Sequence, residues 1–176
     1  MPFRFLLALA ALLLAALPAR AQFEGSIGGT AVPETVVAWT ASVRPPTTAE
    51  VDAGAFRPGD LAFITLTAEV TPGWRLYALE STGGLPLQVA LDPLPDGLRP
   101  EGQMREDAPR DGYDEALGEA YRYHAGRARV WQGLRLSERA PRGAHVVTGR
   151  VRYAACNDSI CLPPREVPFR ARLVVQ

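Results

Sequence analysis

Cys156 and Cys161 are the only cysteines in the chain, separated by four residues in Tyr153-Ala154-Ala155-Cys156-Asn157-Asp158-Ser159-Ile160-Cys161-Leu162-Pro163-Pro164. Turn-forming Asn-Asp-Ser lies between them, an alternating strand leads in, and a double proline leads out. Two thiols so placed can close a disulfide, exchange it with another thiol, or supply half of a tetrahedral metal site. As a stabilising staple the pair is weak. Closing a six-residue ring contributes about 2 kcal/mol, against roughly 4.5 kcal/mol for a ring near a hundred residues. A staple of immunoglobulin kind joins two sheets across a core from cysteines far apart in sequence, which a hairpin pair cannot do. Spacing alone leaves redox exchange and a structural turn clip equally open.

Other chemistries find less support. The two histidines, His124 and His145, are isolated and read as ordinary surface or core side chains, His145 at the start of a strand. No metal and no bound cofactor is expected. A thioredoxin-type site needs C-x-x-C opening a helix, and a hydrolase elbow needs G-x-S-x-G; neither occurs. All nineteen basic residues are arginine, so an amine nucleophile is excluded. Nineteen acidic residues balance them, which leaves no electrostatic footprint for nucleic acid.

The elements that must position the cysteines follow from the pattern. Residues 1–21 read as a secretory signal peptide: Arg4, a Leu/Ala run over Phe5 to Leu17, then small residues with cleavage after Ala21. The apolar run is too short for a comfortable membrane span, so no stable membrane insertion is expected. The mature chain is expected outside the cytoplasm, in the periplasm or otherwise secreted, where two cysteines pair by default. Residues 22–35 read as a flexible lead-in and 36–176 as one domain. Apolar residues alternate at Val37, Trp39, Ala41 and Val43, and again at Ala62, Ile64, Leu66, Ala68 and Val70. Short strands are expected at Trp74 to Leu79, around Leu87 to Leu91, at Glu119 to His124 and at Ala128 to Leu136. The clearest carry Val147, Val151 and Tyr153 against Arg150 and Arg152, then Val167, Phe169, Ala171, Leu173 and Val175 against Arg170 and Arg172. Arg44 to Asp60 reads as loop, and Asp92 to Gly112 as a polar stretch with too many prolines for a helix. Seven to nine strands without helical periodicity predict an all-β, immunoglobulin-like antiparallel sandwich, with an open barrel as the competing architecture.

Tyr-x-x-Cys, a short Asp-containing loop and Cys-Leu-Pro-Pro together resemble the N-terminal periplasmic domain of the thiol:disulfide interchange protein DsbD, here as a stand-alone domain. Gly73-Trp74-Arg75-Leu76-Tyr77 falls where that family has an aromatic-rich strand. Asp114-Glu115-Ala116-Leu117-Gly118 falls where it has an acidic, aromatic loop capping the cysteines. The likeness spans about Asp60 to Gln176. It implies a thiol–disulfide oxidoreductase of the electron-carrier type, serving protein-disulfide reduction and cytochrome c maturation. Cys161 would engage the partner and Cys156 resolve the intermediate, with Tyr77, Asp114, Glu115, Leu117 and Tyr153 as surroundings. Partners would be thioredoxin-like periplasmic proteins and a membrane electron carrier acting in trans on a monomer. Ala116 and Leu117 depart from the bulky aromatics of the family's cap. The rival expectation is a non-catalytic secreted sandwich that binds proteins and keeps the disulfide as a structural clip.

Overall fold

A computed structural model describes residues 35–46, 55–115 and 118–176. The expected signal peptide, nearly all of the lead-in, and Ala116 and Leu117 of the expected cap lie outside the described residues. Twelve strands are present among the described residues: β1 (Val37–Arg44), β2 (Ala55–Phe56), β3 (Leu61–Val70), β4 (Arg75–Tyr77), β5 (Gln88–Leu91), β6 (Leu98–Glu106), β7 (Arg110–Asp114), β8 (Glu119–His124), β9 (Arg127–Leu136), β10 (Gly143–Tyr153), β11 (Ala155–Cys156) and β12 (Arg165–Val175). They form three open four-stranded sheets, ordered β1-β3-β9-β6, β2-β12-β10-β5 and β11-β4-β8-β7. Pairing is antiparallel except where short β2 joins β12 in parallel. The protein is an all-β antiparallel sandwich, as its alternating pattern predicts.

The first two sheets bury the faces that carry the alternating apolar residues. Ile64 and Leu66 of β3, Leu134 and Leu136 of β9, Val147 and Val151 of β10, and Leu173 and Val175 of β12 are almost fully buried in one cluster. Each such side chain contributes about 1.5–3 kcal/mol by leaving water. Gln132, which interrupts the buried face of β9, is half-buried and donates to the Gly102 carbonyl on edge strand β6 at 3.1 Å.

β6 and β7 arise within the stretch that reads as polar and proline-broken. Both are sheet edges, with β6 beside β9 and β7 beside β8. An edge strand can carry Pro100 and charged residues, because one side of its ladder needs no partner. Its sequence therefore lacks the alternation that marks inner strands.

The third sheet branches from the second, since β10 passes into β11 after the single residue Ala154. β4 packs inward through Leu76, 1% exposed, between the flanking side chains Trp74 and Ala78, also buried. His124 at the end of β8 is 4% exposed, and its Nε2 lies 2.9 Å from Glu106 Oε2. The same oxygen accepts from the Leu79 amide at 2.9 Å. This buried carboxylate fastens the edge of the first sheet to β4 and β8, the strands that carry the cysteine hairpin's neighbours. His124 is thus a satisfied core histidine.

Candidate redox site

β11 pairs with β4 in the register Ala155↔Leu76 and Cys156↔Arg75. The chain then turns back, and Cys161 forms an antiparallel bridge with Cys156. The Asn157 amide donates to the Ile160 carbonyl, and the Leu162 amide to the Ala155 carbonyl, each at 2.9 Å. Asn157 Oδ1 accepts from the amides of Ser159 and Ile160 at 2.8 Å each, which is why an Asn suits the first turn position. Opposite positions bring the two Cα atoms within 4.0 Å, and the cysteines are joined by a disulfide. Their surroundings differ. Cys156 is 7% exposed beneath the hairpin, whereas Cys161 lies exposed on its outer edge.

Tyr77 on β4 donates its hydroxyl to Cys156 Sγ at 3.5 Å. A disulfide sulfur carries no hydrogen, so the phenol must be the donor. Burial, reinforced by the neighbouring Tyr121 and the Asp114 carboxylate, holds the Tyr77 phenol above its ordinary range, with Arg75 opposing. The hydroxyl therefore keeps its proton through neutral pH. The Tyr77 ring lies flat against Gly84, where φ is +72° and a Cβ would come within 2.2 Å of Cζ. Only glycine satisfies both the backbone and that approach. The Gly83-Gly84 loop is itself tied to β8: Thr82 Oγ1 donates to the Ala120 carbonyl and the Arg122 amide donates to Ser81 Oγ.

Arg75 gathers the rest. It pairs with Asp158 in the cysteine turn, donates to the Tyr121 hydroxyl at 2.7 Å, and lies over the Tyr123 ring at 5.7 Å. Tyr121 meets Tyr77 edge-on, with ring centroids 5.7 Å apart. The turn is thereby held to an aromatic platform on β4 and β8.

A cleft of about 290 Å³ opens beside the disulfide. Leu85, Ala154, Leu162 and Pro164 give it apolar walls, with Tyr77 and Tyr121 behind, and Asp114 and Glu119 stand on its side. Of the residues the sequence singles out, Tyr77 and Asp114 are brought together with both cysteines. Glu115 is exposed in the β7–β8 turn and does not line the cleft. Leu117 is outside the described residues. Tyr153, 3% exposed, points into the core, its ring 5.7 Å from that of Trp39, and burial raises its phenol above the ordinary range. Arg75, Tyr121, Glu119 and the Gly83-Gly84 loop are members that the sequence reading missed. A Gly-Gly after a strand bearing Tyr77 was the one local signal for a close aromatic approach.

No known family model and no curated protein matches the sequence. Among solved structures, the chain is similar to the N-terminal domain of DsbD from Neisseria meningitidis in its reduced form, with 19% identity, a TM-score of 0.41, and coverage of 64% of this chain and 82% of that one. It is also similar to the N-terminal periplasmic domain of ScsB from Proteus mirabilis, with 14% identity, a TM-score of 0.45, and coverage of 80% of this chain and 48% of that one. A cohesin–dockerin complex from Clostridium thermocellum gives 8% identity, a TM-score of 0.38, and coverage of 78% and 99%. The first of these is the domain type that the cysteine motif resembles.

Proposed function

We propose that this chain is a periplasmic thiol–disulfide exchange protein that relays electrons between thioredoxin-fold partners through reversible opening of Cys156–Cys161. The observation that carries the reading is the unequal setting of the two sulfur-bearing residues. Cys161 is exposed at the cleft, and Cys156 lies beneath it within reach of the Tyr77 hydroxyl. A donor thiolate attacks Cys161 Sγ, a new intermolecular S–S bond forms, and the Cys156–Cys161 bond breaks. The electron pair of that bond leaves on Cys156 as a thiolate, toward which the Tyr77 hydroxyl can donate. A second donor thiolate then displaces Cys161, so the donor leaves oxidised and this chain holds two thiols. The reverse sequence passes the same two electrons to an acceptor disulfide, with Cys161 attacking and Cys156 resolving. Asp114 faces the cleft and is suited to influence proton movement at the thiols. The resemblance also assigns Glu115, Leu117 and Tyr153 to the surroundings, of which Glu115 stands off the cleft and Tyr153 lies in the core. It has a membrane carrier in trans supply the electrons.

Trapping tests the roles. The Cys156→Ser chain should form a stable mixed disulfide through Cys161 with a thioredoxin-like partner, and the Cys161→Ser chain should form none. A measured potential near the thioredoxin value of about −270 mV fits relay. One well below about −300 mV, with no adduct in either variant, would mark a structural clip and sink the proposal.

A further inference from the structure

Beside the exposed cysteine, the cleft has a chemistry of its own. None of the described residues that line it is basic, whereas Asp114 and Glu119 both line it. Arg75, the arginine paired with the cysteine turn, is engaged by Asp158 and the Tyr121 hydroxyl and is not among the lining residues. Beyond that lining, Glu115 in the β7–β8 turn and Asp158 in the cysteine turn are exposed, Asp158 already paired with Arg75. The walls are apolar, and Ile160 in the turn is 44% exposed next to Cys161. Pro163 and Pro164 follow the bridge and have no amide hydrogen, so the edge at Cys161 offers a partner little ladder to extend. An incoming thiol must therefore be recognised by side chains.

Resting on the thiol-exchange reading, we infer that the cleft selects partners whose reactive cysteine is flanked by a bulky apolar residue and by an arginine or lysine. The apolar residue occupies the cleft between Leu85, Leu162 and Pro164, and the cation meets Asp114 and Glu119. Carboxylates at the mouth of a low-dielectric groove raise the local concentration of a cationic thiol and slow an anionic one. The effect is on the rate of encounter, so it weakens with salt.

The test uses the oxidised full chain and short N-acetylated peptides bearing one cysteine. The residue before the cysteine is Arg, Gln or Glu, and the residue after it is Leu or Gly. Excess peptide attacks Cys161, a second peptide thiol resolves the adduct, and the products are a peptide disulfide and the protein dithiol. Rates are corrected for each peptide's thiolate fraction and divided by the rate of the same peptide with hydroxyethyl disulfide, a neutral reference. The expected result at low salt is a normalised rate at least about tenfold higher for Arg than for Glu, shrinking toward unity in 1 M salt. Leu should exceed Gly severalfold. The Asp114→Asn, Glu119→Gln chain should lose the Arg preference while retaining the Leu preference. Normalised rates that ignore charge, or an Arg preference that survives both substitutions, would overturn the inference and leave thiol exchange standing. A disulfide that reacts with none of the peptides would overturn both.

Discussion

The Tyr77 hydroxyl meets a sulfur that changes character with redox state. In the disulfide, Cys156 Sγ is a weak neutral acceptor at 3.5 Å. After reduction the same position is a thiol that can ionise, and a donor stabilises its thiolate. Because burial, Tyr121 and Asp114 keep the phenol above its ordinary range, the donor survives into alkaline solution. Tyr77→Phe in a Cys161→Ser chain should therefore raise the Cys156 thiol pKa by about one unit, about 1.4 kcal/mol of lost stabilisation of the thiolate. The pH dependence of Cys156 alkylation reads this directly; an unchanged midpoint would mean that the hydroxyl does not serve the thiolate. At this scale the sequence was partly legible. The cysteine spacing and Tyr77 were readable because their neighbours are local or carried by a motif. Arg75 was not, since what gives it a role is contact with Asp158 and Tyr121, remote in sequence and joined only by the β11–β4–β8 pairing.

Strands that bury one face announced themselves, and the edge strands β6 and β7 did not. β3, β9, β10 and β12 each alternate apolar and polar residues because one face packs into the sandwich. β6 and β7 hide among Pro, Gly and charged residues, since an edge is free of that demand. One consequence is that Glu106, in a stretch that reads as polar loop, supplies the buried carboxylate shared by His124 and the Leu79 amide. Neither periodicity nor spacing could have paired residues on two sheets. Removing the imidazole leaves a buried carboxylate short of a partner, so His124→Leu should destabilise the fold by about 3 kcal/mol. Denaturant unfolding should show a lower midpoint at an unchanged slope. Faster hydrogen exchange in β4 and β8 than in β10 and β12 would locate the loss in the sheet that carries the site. Wild-type stability in that variant would show that the contact does not hold the sheets together.

Across the whole molecule, charges cancel in number but are paired unevenly. Asp107 takes Arg129 through both carboxylate oxygens, at 3.1 and 2.9 Å, and Glu101 takes Arg135 at 2.6 Å through each. These pairs tie β9 to β6 and the residue that follows it. The Arg129 hydrogen bonds hold the Asp107 carboxyl below its ordinary range, and Arg135 does the same for Glu101. A depressed carboxylate stabilises the fold above its unfolded pKa, and that contribution disappears as pH falls through the folded value. The melting temperature should therefore drop below about pH 4, and Asp107→Asn should flatten part of that drop; an identical acid profile in the variant would exclude this origin. Pro163-Pro164 bears on how copies of the chain meet one another. Exposed sheet borders are where identical chains stack into fibrils, and a border carrying a reactive sulfur would add covalent locking to that hazard. Two consecutive imino residues deny a second copy its amide donors beside Cys161. Concentrated solutions can thus keep an accessible disulfide without seeding ordered aggregates from that border.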